Sequence, residues 1–200
     1  CSPSQSSYGM SIAETASTFG ETIVRDALLA RAQTPEETLS IAWEEVSAMV
    51  TFLLNIPTRY EFERRFYDIR AERPVRPDEL KSLMAEAWVK WYGDAISEPD
   101  PMFWASKLHF YISELSFYNF PYLFGYLFSL GVYASRTSGD AFFSRYRALL
   151  RDTGRMTAED LARSHLGADL AAAEYWQPTV DLLARRLDHF ENVVEEVIGA

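Results

Sequence analysis

An all-α fold is what this 200-residue chain predicts, and three observations predict it. Apolar residues recur at helical spacing, as in Leu39, Trp43, Val46, Val50 and Leu53, which step by four and three. Helix starts are marked by a cap residue, a proline and acids in the first turn, as in Thr34-Pro35-Glu36-Glu37. The period-two alternation and paired turn residues of β-hairpins are absent. With 48% apolar residues and 14% aromatics, residues 1–200 are expected to form a single helical domain with a substantial core.

Residues 1–9, rich in Ser, Pro and Gly, read as a loop. Ser11 stands at capping-box spacing from Glu14, so a helix is expected from there to about Ala32. Glu14 and Glu21 lie two turns apart on one face of it, among Ile12, Ala13, Ala16, Phe19, Ile23 and Val24. In a chain with 29 acidic residues a helical Glu is ordinarily a solvated surface group. On an apolar face, however, a carboxylate needs a metal, a cation or a donor to offset its desolvation.

The second helix starts with Thr34 as N-cap and carries the Leu39-to-Leu53 stripe against a neighbour. Pro57 should kink or interrupt it, and Phe62, Phe66 and Ile69 suggest that it resumes until Arg73-Pro74-Val75-Arg76-Pro77. Residues 78–94 read as an amphipathic helix with Leu80, Leu83, Met84, Ala87, Trp88 and Trp91 inward. After the Pro99-Asp100-Pro101 break come an aromatic segment, a helix entered through Pro121, a helix over 140–150, a short one after Thr157 and a last one over 175–197. Residues 153–157 are at most a short linker, and there is no internal repeat or low-complexity tract. Gly125 and Gly131, on one helix, favour close helix packing over phosphate binding.

Net charge −10 with a pI near 4.8 excludes a nucleic-acid binder, which needs clustered Lys and Arg. No run approaches the ~20 apolar residues of a membrane helix. The closest, 117–134, is broken by Asn119, Pro121 and two glycines and reads as buried. A single cysteine excludes an internal disulfide framework and fits a reducing, cytoplasmic compartment. Cys1-Ser2 mimics the start of a mature lipoprotein, but a polar, cut-off N-terminus explains it better. His165 and His189 read as structural or surface residues, and no Ser-His-Asp or Cys-His arrangement can be argued.

Met-Ser-Ile-Ala-Glu-Thr-Ala-Ser-Thr-Phe-Gly-Glu, residues 10–21, is similar to the segment that follows the His-Glu-x-x-His helix in oligoendopeptidase F and related thimet-type zinc peptidases. Leu108-His109-Phe110-Tyr111, followed by Phe117-Tyr118-Asn119-Phe120-Pro121-Tyr122-Leu123-Phe124-Gly125-Tyr126, resembles the His- and Tyr-rich segment with which that family covers its zinc. Leu166-Gly167-Ala168-Asp169 resembles the Gly-x-Asp turn before the family's last helix. The blocks stand in family order and span nearly the whole chain.

The resemblance implies the C-terminal part of a zincin-like catalytic domain of a zinc metalloendopeptidase acting on short peptides. It implies Glu14 as the third zinc ligand, and Glu21 as the group that orients a ligand histidine or holds the helix. By the same resemblance His109, Tyr118 and Tyr126 are catalytic, supporting the oxyanion or touching substrate, and Tyr111 and Tyr122 bind substrate. The His-Glu-x-x-His helix, with two ligands and the general base, is not in this sequence. The 200 residues are therefore expected to hold zinc weakly and to be inactive alone, with the missing N-terminal part of the same enzyme as a partner. Self-association is left open.

Read from residues alone, other assignments stand beside these. Glu21 is equally a packing carboxylate paired with Arg25. Tyr118, Tyr122 and Tyr126, at four-residue steps, share a face if helical and form either a set of hydroxyl donors or a packing stripe. The whole chain is alternatively a non-catalytic all-α module that binds peptides in an aromatic groove.

Overall fold

The computed structural model describes residues 10–12, 14–136 and 140–199. Residues 1–9, expected as a loop, and Ala13 lie outside them. The described residues contain no β-strand. They form eight α-helices: α1 (Thr15–Leu29), α2 (Pro35–Val50), α3 (Ile56–Arg70), α4 (Pro77–Tyr92), α5 (Phe120–Ala134), α6 (Asp140–Asp152), α7 (Ala158–Leu161) and α8 (Ala173–Ile198).

The chain divides into two compact units. One, from the described residues of Cys1–Ala48 and Phe124–Ala200, is centred on Ile12, Phe19, Phe128, Val132, Tyr133, Phe142, Leu149, Leu161 and Ala162. Gly131 lets α8 approach α5, since a Cβ there would stand 2.8 Å from the Tyr175 hydroxyl oxygen. The turn at 166–169 leads into α8: Gly167 takes the left-handed φ of +65° that ends the preceding helical segment, and the Asp169 carboxylate accepts the Ala171 N–H at 3.0 Å. The other unit, Met49–Leu123, packs α3 on α4 through Phe62, Leu83, Met84 and Ala87, with Trp88, Phe103, Trp104 and Phe110 around them.

Four elements depart from the sequence reading, each for a local reason. Ser11 is not the cap of α1: residues Met10–Ile12 form a 3₁₀ turn, so the α-helix starts later and Glu14 itself is the N-cap residue. Helical backbone runs unbroken through Pro57, from Pro35 to Arg70, over 36 residues. A π turn at Thr51–Asn55 precedes the proline, which then falls in the first turn of α3, where its missing N–H costs little.

The buried face of α2 is Ala42, Glu45 and Met49, whereas Trp43 is 59% exposed. Ion pairing turns Glu45 inward and so sets that face. Trp91 is likewise exposed on α4.

Among the described residues Pro35–Arg70 is the helix long and apolar enough, by length and composition, to cross a bilayer, which the sequence reading had sought at 117–134. Its buried carboxylates Glu45, Glu61 and Glu63 are met by protein partners, as in a core helix.

Candidate functional site

In the first unit the site begins at Glu14. This residue is half-buried, and Ser17 donates its hydroxyl both to the Glu14 carboxylate at 2.9 Å and to its backbone carbonyl at 3.0 Å. Gly125 of α5 lies against it: a Cβ built on Gly125 would stand 3.0 Å from Glu14 Cβ and 3.5 Å from the Glu14 backbone carbon. Only hydrogen fits there, so the absence of a side chain at 125 is what seats α5 on the start of α1. Glu21 is exposed, and Arg25, one turn on, pairs with Glu45 at 3.6 Å.

Tyr126, next on α5, is 2% exposed. Burial pushes its phenol up to about 12, with the Arg186 and Arg25 cations opposing and the Glu45 carboxylate adding to the rise. Those three belong to a buried ion cluster in which Arg186 of α8 pairs with Glu45 and, at 3.3 Å, with Asp26. Tyr126 is thus set among fixed charges.

In the second unit His109 sits on a 3₁₀ turn, Leu108–Tyr111, and is half-buried. Its ring stacks on Tyr118 at 5.1 Å and meets Tyr122 edge-on at 6.1 Å, while Tyr118 and Tyr122 meet edge-on at 5.8 Å. Burial first, then the Arg59 and Lys107 cations, lower the His109 pKa, which keeps the imidazole neutral at neutral pH. A neutral imidazole beside two phenols offers hydrogen-bond donors to a carbonyl oxygen. Tyr111 is exposed and donates its hydroxyl to the Ala105 carbonyl at 3.2 Å.

The expected common helical face of Tyr118, Tyr122 and Tyr126 does not form, because α5 starts at Phe120 and Tyr118 precedes it. Phe117 causes the break. Its φ is +57°, a left-handed conformation that a helix cannot continue from. Its N–H donates to the buried Glu63 carboxylate at 2.7 Å, and its ring packs between Tyr60 and Tyr67 at 5.5 and 5.4 Å.

Two supporting residues were not found from sequence. Arg59 donates to the buried Asn119 carbonyl oxygen at 2.9 Å, and burial lowers its pKa while Tyr92 and Tyr122 oppose the drop. A polar Asn inside an aromatic run, just before Pro121, was the available signal.

Among the described residues no three His, Cys, Asp or Glu side chains are gathered as metal ligands. Glu14 fits a zinc ion as one oxygen donor, and the residues of this chain do not build a zinc site between them.

No family model matches the chain. It is 26% identical over 197 residues to the chromosomal oligoendopeptidase F of Lactococcus lactis subsp. cremoris, covering 94% of this chain and 31% of that protein. The oligoendopeptidase F homolog of Lactococcus lactis subsp. lactis strain IL1403 gives the same identity and coverage. This chain thus spans about a third of the length of the relatives it matches. In fold it is similar to the crystal structure of oligoendopeptidase-F from Enterococcus faecium, with a TM-score of 0.75 and 21% identity, over 92% of this chain and 36% of that one. In sequence along nearly its whole length, and in fold, this chain is a relative of oligoendopeptidase F.

Proposed function

We propose that this chain is the C-terminal portion of the catalytic domain of a zinc metalloendopeptidase that hydrolyses short peptides. Glu14 supplies one of the metal's ligands, and His109, Tyr118 and Tyr122 form a wall that donates to the substrate carbonyl. Tyr111 lies at its edge. Zinc, when bound by the whole enzyme, supplies Lewis-acid chemistry. A cytoplasmic setting belongs to the same reading, on the strength of the single cysteine.

The observation that carries this proposal is the meeting of Glu14 and Gly125. They come from the two blocks of resemblance, in opposite halves of the chain, and pack with no room for a methyl group between them. A pair of chance matches has no reason to touch.

The test is Glu14→Gln in the longer enzyme of which this chain is proposed to be part. The amide keeps the shape and loses the charge that holds a cation, so zinc content and peptide turnover fall together while circular dichroism is unchanged. Full metal content at the wild-type rate would overturn the ligand assignment.

A further inference from the structure

The Met49–Leu123 unit contains a cavity of about 150 Å³ that the reading above does not use. Phe62, Phe66, Trp104 and Phe110 line it, Tyr111 stands at the exposed side, and Glu63 is the one acid on its wall. Phe62 stacks parallel to Trp104 at 6.5 Å and meets Phe110 edge-on at 5.3 Å.

Two polar atoms of this wall are buried without a partner among the described residues. Glu63 is 4% exposed; its Oε1 accepts the Phe117 N–H, but its Oε2 has no donor. Trp104 Nε1–H has no acceptor. Leaving either atom unmet costs on the order of 1–3 kcal/mol, more for a charged group. No Lys or Arg pairs with Glu63, and burial accordingly holds its pKa above the ordinary value.

The two orphans ask for opposite things: a cationic donor for Glu63 and an acceptor for Trp104, within one small space walled by aromatic faces that attract cations. An apolar cavity of similar size stays dry and takes a benzene-sized guest, so there is room for a few heavy atoms. We infer that this cavity binds an α-ammonium group together with its adjoining carbonyl, the chemistry shared by an amino-acid amide and the free amino terminus of a peptide. The ammonium pairs with Glu63 over the aromatic floor, and the carbonyl accepts from Trp104.

The test is direct binding to the 200-residue chain, read from the Trp104 indole N–H signal in NMR, which Trp104→Phe identifies by its loss. It requires no turnover, so its failure and that of the peptidase reading are separate results. Alaninamide should shift this signal saturably. Propylammonium, which lacks the carbonyl, and N-acetylalaninamide, which lacks the charge, should each bind about tenfold more weakly or worse, as expected when a buried polar group is left unmatched. Trialaninamide separates the sources: binding as tight as alaninamide assigns peptide ends, and exclusion of it assigns free amino-acid amides, both supporting the shared chemistry.

Glu63→Gln keeps an acceptor for Phe117 and should abolish alaninamide binding with the indole spectrum otherwise intact. Equal binding of all three small probes would reduce the site to an apolar hole and overturn the inference. So would the absence of any shift, or undiminished binding in Glu63→Gln.

Discussion

Gly125 carries no side chain where one would press on Glu14, and that makes it the residue on which the candidate site turns. Gly125→Ala should destabilise the protein by about 1–3 kcal/mol through overpacking, less up to about 1 kcal/mol regained in helix propensity. Gly20→Ala is the control: nothing lies within 4 Å of a Cβ there, so it should stabilise by about 0.5–1 kcal/mol. Urea midpoints for the two variants check both signs. The tyrosines divide in the same residue-by-residue way. Sequence register favoured Tyr126 as a donor, but burial among Arg186, Glu45 and Arg25 makes it a positioning residue in our reading, while Tyr122 stands beside His109. Tyr122→Phe in the longer enzyme should therefore lower kcat by about 10²-fold with little change in KM. His109→Ala should weaken turnover with zinc retained. Tyr126→Phe should leave kcat near wild type and cost stability of about 1 kcal/mol. Steady-state kinetics on the three variants decide the matter, and a crippled Tyr126→Phe beside a normal Tyr122→Phe would restore the sequence register.

Elements show which local signals sufficed. The start of α2 follows its sequence: Thr34 Oγ1 accepts the Glu37 N–H at 3.2 Å, and Glu37 reaches back to the Gln33 N–H at 2.9 Å. Thr34→Ala should cost about 1 kcal/mol in urea denaturation, since it removes the acceptor for one first-turn N–H. An unchanged midpoint would mean that water replaces the cap in full. The start of α1 defeats the same rule, because a 3₁₀ turn at Met10–Ile12 shifts the helix register and Ser17, inside the helix, meets the Glu14 carboxylate instead. Likewise Phe117 ends the aromatic segment through a backbone angle that no spacing rule foresees in a phenylalanine.

The whole molecule has the ingredients of a wall and a single metal donor, without a gathered ligand set among the described residues. The 200-residue chain alone should consequently bind zinc weakly and cleave no quenched peptide, since one carboxylate cannot hold the ion against water and no general base is in place. Equilibrium dialysis with the peptide assay checks this. Stoichiometric sub-micromolar zinc, or any turnover, would show that the chain assembles a site of its own.

Helical class, most helix positions and the packing role of Gly125 and Gly131 were determined by the sequence itself, because periodicity, caps and glycine act over a few residues. The inward face of α2 was not. It depends on Glu45 finding Arg186 on the last helix, a pairing between distant segments that outweighs the apolar stripe through Trp43. The joining of His109 to Tyr118 and Tyr122, and the separate burial of Tyr126, were likewise decided only in three dimensions. A left-handed residue at 117 breaks the face that four-residue spacing would have made continuous, and Glu63, from another helix, receives the N–H that this break turns aside.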